Sequence, residues 1–250
     1  MEQVTSRHNG VVQHVKKLAS NRKYRRETGE FLCEGPKMWA EAVEHGWVIS
    51  TLLTSEEDLL RQNEGMAARS VLVSSELLAY AADTETPQKM IFTCRIPEPP
   101  EALSGERFLV LDGVQDPGNV GTIWRTADAF GADGLILLPG CADPWSPKVV
   151  RSTMGACFRL PMLTCTAEEL MPMLAAREIP LYATALREDT LDIRDADLKC
   201  SAVVIGSEGR GVSEQLLARC SATLKIPMRQ RCESLNAAMA AGIVLWESFR

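Results

Sequence analysis

The stretch FLVLDGVQDPGNVGTIWRTADAFGADGLILL, residues 108–138, shows in miniature how the larger part of the chain is organised. Phe108–Leu111 and Gly134–Leu138 are continuous apolar runs, as strands covered on both faces require. Between them Pro117 and Gly118 break the first strand, and Asn119 stands where the N-cap of a helix belongs. Val120, Ile123, Trp124, Ala127 and Phe130 then recur at helical spacing and make one buried stripe. Arg125 falls off that stripe, toward the strand-end face or solvent. Strand, helix, strand of this kind is the repeating unit of a parallel sheet.

The same alternation continues downstream. Further apolar runs lie at Pro180–Ala185, Ala202–Ile205 and Thr223–Ile226, and helical patterns at Lys148–Cys157, Ala167–Arg177, Ser213–Arg219 and Leu235–Phe249. A parallel α/β sheet wrapped by helices follows, and ligands in such sheets bind at loops beyond the C-terminal ends of the strands. Upstream, Arg95–Glu106 (RIPEPPEALSGE) is rich in Pro and Glu and reads as a linker. Before it, Val11, Val12, Val15 and Leu18 recur at helical spacing. Phe31–Cys33, Val48–Leu53 and Val71–Val73 are β-type runs, with helix-like stretches at Lys37–His45 and Ser75–Ala82. The expected organisation is a small α/β domain over residues 1–96, a linker over 97–106 and a parallel-sheet α/β domain over 107–250.

Composition sets the boundaries of function. Hydrophobic residues at 46% and charged residues at 24% are ordinary globular values for 250 residues. The polar start, and the lack of any apolar run near the ~20 residues that span a bilayer, predict a cytoplasmic protein without a membrane segment. The eight cysteines are scattered without a Cys-x-x-Cys pair, so they read as reduced thiols and no metal is expected. A net charge of −6 conceals a local cluster. Arg7, Lys16, Lys17, Arg22, Lys23, Arg25 and Arg26 crowd the first 26 residues against a single acid, Glu2. Such a segment either holds phosphates, with affinity that falls steeply with salt, or is a solvated helix face followed by a charged turn. Charge alone leaves both open.

Two more loops stand out. VVIGSEGRGVS, residues 203–213, places three glycines within six residues after a buried strand, which lets backbone amides approach a ligand closely. Val212 stands where a Walker loop needs lysine, the dinucleotide glycine spacing is missing, and Glu208 would repel phosphate. A cationic or neutral ligand such as a sulfonium suits this loop, and so does a tight turn with no ligand. IPMRQRCESLNAAMAAGIVLW, residues 226–246, ends a strand at Pro227 and starts a small-residue helix after Ser234-Leu235-Asn236. Ala237, Ala238, Ala240, Ala241 and Gly242 allow close approach of another helix, from this chain or from a partner subunit. All three histidines precede the linker, so the larger domain has no histidine base.

In this order and near these separations, the three loops resemble the SpoU/TrmH family of SPOUT-class RNA 2′-O-ribose methyltransferases, from about Phe108 to Phe249. Residues 1–94, with Thr86-Pro87-Gln88 before the linker, resemble the L30-like RNA substrate-binding domain of many members. The resemblance implies a C-terminal domain with a deep trefoil knot, S-adenosylmethionine as cofactor and a homodimer formed through the C-terminal domain. It assigns Asn119, Arg125, Glu208, Ser234 and Asn236 to the catalytic positions, and Thr184, Gly206, Ile226 and Leu235 to cofactor contacts. Arg125 matches the arginine that helps activate the ribose hydroxyl; because arginine stays protonated, positioning and charge stabilisation suit it better than proton abstraction. Two positions depart from the family pattern, Gln230 and Lys89, each where glycine is common. The implied activity is methylation of a ribose in structured RNA, ribosomal RNA ahead of transfer RNA, with Arg7, Arg22, Lys23, Arg25 and Arg26 as candidate RNA contacts. The alternative from another class is a non-catalytic RNA-binding or ribosome-assembly protein of the same fold; an oxidoreductase fails on the missing glycine fingerprint.

Overall fold

A computed structural model describes residues 2–100, 104–187, 190–229 and 234–250 of the chain. It contains two compact units, Met1–Glu98 with Asp143–Phe158, and Pro99–Ala142 with Arg159–Arg250.

The first unit begins with β1 (Glu2–Val4), α1 (Gly10–Ser20), α2 (Arg22–Thr28), β2 (Glu30–Glu34) and α3 (Pro36–Glu44). It continues with β3 (Ile49–Thr54), α4 (Glu57–Gln62), β4 (Arg69–Val73), α5 (Ser75–Ala81) and β5 (Met90–Arg95). The sheet order is β1-β4-β3-β5-β2, parallel from β1 through β3 and antiparallel at β5 and β2. Asn9 caps α1 and Asn21 caps α2, so asparagine side chains set both helix starts. Val12, Val15 and Leu18 of α1 join Leu53, Val71, Leu78 and Ile91 in the core of this unit. Gly35 adopts φ 92°, and a Cβ there would run into the Gln88 side chain, which explains a glycine at this turn. Glu34 accepts from Thr84 Oγ1 at 2.7 Å and from the Gln88 backbone at 2.9 Å, which ties the Thr-Pro-Gln run to the end of β2. Lys89, which stands where a glycine is common, pairs with Glu56.

In the second unit β6 (Arg107–Asp112), α6 (Pro117–Ala129) and β7 (Gly134–Leu137) form the expected strand–helix–strand unit. The chain then gives α7 (Pro147–Thr153) to the first unit. It returns as β8 (Met162–Thr164), α8 (Ala167–Ala175), β9 (Leu181–Thr184) and β10 (Leu191–Asp192). It closes with β11 (Ser201–Gly206), α9 (Glu214–Leu217), β12 (Ala222–Lys225) and α10 (Ala237–Phe249). Every pair in the sheet β10-β12-β9-β11-β6-β7-β8 is parallel. The fold is therefore α/β with a parallel sheet. Val110, Val204 and Ala183 of the central strands are fully buried, as their unbroken apolar runs require. Gln230, one of the two departures from the family pattern, lies outside the described residues.

Residues 143–158, inside the stretch expected as the second domain, group by their contacts with the first unit. Trp145 lies tilted 4.6 Å from Phe31, Phe158 lies 5.1 Å from Trp47, and Trp47 Nε1 donates to the Phe158 carbonyl at 3.0 Å. Arg25 Nη2 donates to Asp143 at 2.6 Å, with both side chains nearly buried. Aromatic burial and this ion pair bind the segment to the first unit, and periodicity carries no trace of either. The helix expected over Lys148–Cys157 also stops early, at Thr153, because Met154 turns left-handed at φ 51° before Gly155.

Candidate active site

Three loops meet at the C-terminal ends of β6, β9, β11 and β12. Asp116, not Asn119, caps α6: its carboxylate accepts from the Asn119 backbone at 2.8 Å, and Pro117 occupies the first helical position. The start of the helix three residues earlier frees the Asn119 side chain for long-range contacts. Asn119 Nδ2 donates to Glu208 Oε1 at 2.6 Å, and Asn119 Oδ1 accepts from Asn236 Nδ2 at 3.1 Å. Asn236 caps α10, accepting at its Oδ1 from Ala238 N at 2.9 Å and Met239 N at 3.3 Å.

These bonds have a direction. The helix start takes the Asn236 oxygen, so only the Asn236 amide can face Asn119. That amide takes the Asn119 oxygen, so only the Asn119 amide can face Glu208. The α10 N-terminus thereby sets the polarity of a chain of side chains that ends on a carboxylate oxygen, where a bond to a charged group is worth about 1.5–3 kcal/mol. Among the described residues no other hydrogen bond reaches the Glu208 carboxylate.

The glycine-rich loop folds back on itself, with Ser207 and Gly211 exchanging backbone bonds of 3.0 and 2.9 Å. A Cβ on Gly206 would collide with the backbone of Gly211 and Val212, so the turn demands glycine here. Asp112 at the end of β6 accepts from Ser213 N at 2.7 Å and holds the loop's far end. Thr184 donates to the Val204 carbonyl at 2.9 Å, which binds the β9 end to β11.

These elements enclose a pocket of about 460 Å³, within the size range of small-molecule sites. Thr184, Gly206, Glu208, Ile226, Ser234 and Leu235 all line it. Asn119 and Asn236 join it through Glu208. Arg125 is exposed on α6, outside both the lining and the hydrogen-bonded chain. Among the described residues the charged side chains lining the pocket are Glu208 and Lys225. Asp112, Asp116, Met228 and Ala240 complete the site and were not among the candidates from sequence. Asp-Pro before a helical stripe is an N-cap signature that could have identified Asp116.

The small face of α10 packs on its own chain: α10 lies against α6, and Gly242 reaches Thr126. Met239, Trp246 and Phe249 remain 53–62% exposed. Phe130 sits 5.9 Å from Trp246 and 6.0 Å from Phe249.

Of the candidate RNA contacts, Arg7, Arg22, Lys23 and Arg26 are exposed. Arg25 differs from expectation. It is buried, with its guanidinium on Asp143 and on the Leu18 carbonyl, so its charge is consumed inside the first unit. Among the described residues no helix is long and apolar enough to cross a membrane, and no His, Cys, Asp and Glu cluster could hold a metal.

The family model described as SpoU rRNA Methylase matches residues 106–246, and the MRM3-like substrate binding domain matches residues 9–91. The 23S rRNA (guanosine(2553)-2′-O)-methyltransferase RlmP of Bacillus subtilis is 32% identical over 98% of each chain. An AdoMet-bound rRNA methyltransferase from Sinorhizobium meliloti superposes with TM-score 0.90 at 32% identity, covering 99% of this chain and 97% of that one. The SpoU methyltransferase AviRb of Streptomyces viridochromogenes, solved with AdoMet, gives TM-score 0.88 at 32% identity over 97% of each chain.

Proposed function

The chain belongs to the SpoU rRNA methylase family, and from that premise we propose that it methylates a ribose 2′-hydroxyl of ribosomal RNA with S-adenosylmethionine. The observation that carries this reading is the 460 Å³ pocket at the strand ends, with Gly206 backbone and Glu208 carboxylate on its wall and Asn119 and Asn236 wired to that carboxylate. The lining suits this cofactor chemically: a glycine turn gives close backbone access, and a carboxylate complements a sulfonium where phosphate would be repelled. Bound there, S-adenosylmethionine would supply an electrophilic methyl group. Thr184, Gly206, Ile226 and Leu235 are proposed to hold it.

The rest of the chemistry belongs to the chain. Asn119, Ser234, Asn236 and Glu208 orient the ribose hydroxyl, because rigid amides and a fixed carboxylate acceptor define one approach direction. Arg125, a guanidinium without an ion pair among the described residues, holds substrate phosphate and stabilises developing charge. Ribosomal RNA is the substrate proposed, since the relative that matches 98% of this chain is named for it. The exposed Met239, Trp246 and Phe249 support a homodimer built through the second unit, with a second copy covering them. With a bacterial relative of the same length, the cytoplasm is the compartment proposed.

Incubation of the protein with methyl-labelled S-adenosylmethionine and ribosomal RNA tests the reading. Label should appear in 2′-O-methylribose. Cofactor binding without label in any RNA would favour a binding protein instead.

A further inference from the structure

Two lysines at adjacent positions of α1 rest on tyrosine rings from different helices. Lys16 Nζ lies 5.3 Å from the centre of the Tyr80 ring of α5, and Lys17 Nζ lies 5.5 Å from that of Tyr24 in α2. Neighbouring residues on a helix point about 100° apart, so the two pairs occupy opposite flanks of one ridge. Each tyrosine is held in place. Gln13 Nε2 donates to Tyr80 Oη at 3.2 Å and to the Arg7 carbonyl at 2.7 Å. His14 Nδ1 bonds Tyr24 Oη at 2.9 Å, while His14 Nε2 faces Glu30 at 3.1 Å. Tyr80 is 36% exposed, Tyr24 is half-buried, and α1 carries no acid. Among the described residues neither lysine has an ion pair; Arg7, Arg22 and Arg26 add positive charge nearby in the chain, while Lys23 pairs with Glu27 at 3.7 Å.

We propose that the α1 ridge is a binding surface for an unpaired RNA segment, with phosphates on Lys16 and Lys17 and a base stacked against the exposed ring of Tyr80, while Tyr24 packs on the core and props Lys17. Single-stranded RNA alternates anions with flat aromatic faces, and this ridge presents cations paired with aromatic rings. A duplex would use the lysines and leave the Tyr80 ring idle; an acidic peptide would do the same. The inference rests on the reading of this protein as an RNA methyltransferase and specifies how its first unit recognises substrate.

The test uses the full-length protein without cofactor, titrated against a labelled 12-nucleotide oligo(U) and, separately, a 12-base-pair RNA duplex. Tyr80→Ala should weaken oligo(U) binding about 5- to 100-fold, as loss of one stacked base would, and leave duplex binding within about twofold. Tyr80→Phe should retain wild-type affinity, since stacking needs the ring alone. Lys16→Met should reduce the salt slope by about 0.7, the value for one phosphate on a single strand. No oligo(U) binding by the wild type, or equal losses on oligo(U) and duplex for Tyr80→Ala, would overturn the inference. Normal oligo(U) binding in a protein that labels no RNA would leave it standing and count against the methyltransferase reading.

Discussion

Asn119 donates its side-chain amide to Glu208 across 2.6 Å, and it faces that way because Asn236 occupies its oxygen. The two asparagines are 117 residues apart in the chain. Their orientation originates at the first turn of α10, where Asn236 accepts two backbone N–H groups.

Asn236→Asp separates capping from positioning. Aspartate caps a helix as well as asparagine does, so thermal stability should hold. It cannot donate to Asn119, so kcat should fall about 10- to 100-fold, as loss of one bond to a charged group predicts, with KM for RNA nearly unchanged. Wild-type turnover in this variant would show that the chain of amides plays no part in the reaction.

Arg125→Ala should lower kcat by at least about 100-fold while the dissociation constant for S-adenosylmethionine, measured by calorimetry, stays within about threefold. Arg125 lies outside the pocket lining, so a large loss of cofactor affinity would contradict its assignment to substrate.

The basic cluster divides by burial. Arg25→Met leaves Asp143 buried without its partner and should cost about 3–5 kcal/mol of stability in the first unit. Arg22→Gln, Lys23→Gln and Arg26→Gln together should leave denaturation midpoints within about 0.5 kcal/mol of wild type and flatten the salt dependence of RNA binding. If the triple variant keeps the wild-type salt slope, these exposed side chains are solvated surface.

How much of this was legible depends on the range of the interaction. The central strands were readable because burial on both faces leaves an unbroken apolar run, as at Phe108–Leu111 and Ala202–Ile205. β1, β8 and β10 were not, since two or three residues carry no period; they are strands because a neighbour offers an unpaired edge. Asn119 was a candidate from its loop, yet its role as a cap belongs to Asp116, because Pro117 moves the helix start. Glu208, Ser234 and Leu235 share one pocket only once the sheet brings β11 and β12 on either side of β9. Arg25 illustrates the limit: counting charges cannot reveal that one of seven is spent on Asp143 inside a core.

Acid should destabilise the first unit through Glu30. Burial opposes its charge, but hydrogen bonds from His14 and Thr93 hold its carboxyl below the usual range near 4.5. A depressed carboxylate stabilises the fold above its unfolded pKa, and that contribution is lost as pH falls through the native value. Thermal melts of Glu30→Gln should lose part of the wild-type decline below about pH 4.5. Identical pH profiles for the two proteins would contradict it.

Trp246→Asp places a charge in the exposed apolar face of α10. Light scattering should show a change from dimer to monomer. A wild-type protein that is monomeric at micromolar concentration would remove the second copy from the account.

Methylation of ribosomal RNA ribose at this pocket has a direct cellular readout. The most direct measurement maps 2′-O-methyl sites in ribosomal RNA from cells with the protein, without it, and with Arg125→Ala in its place. The account predicts a site that disappears in the second and third and is present in the first. Identical methylation maps in all three would contradict it.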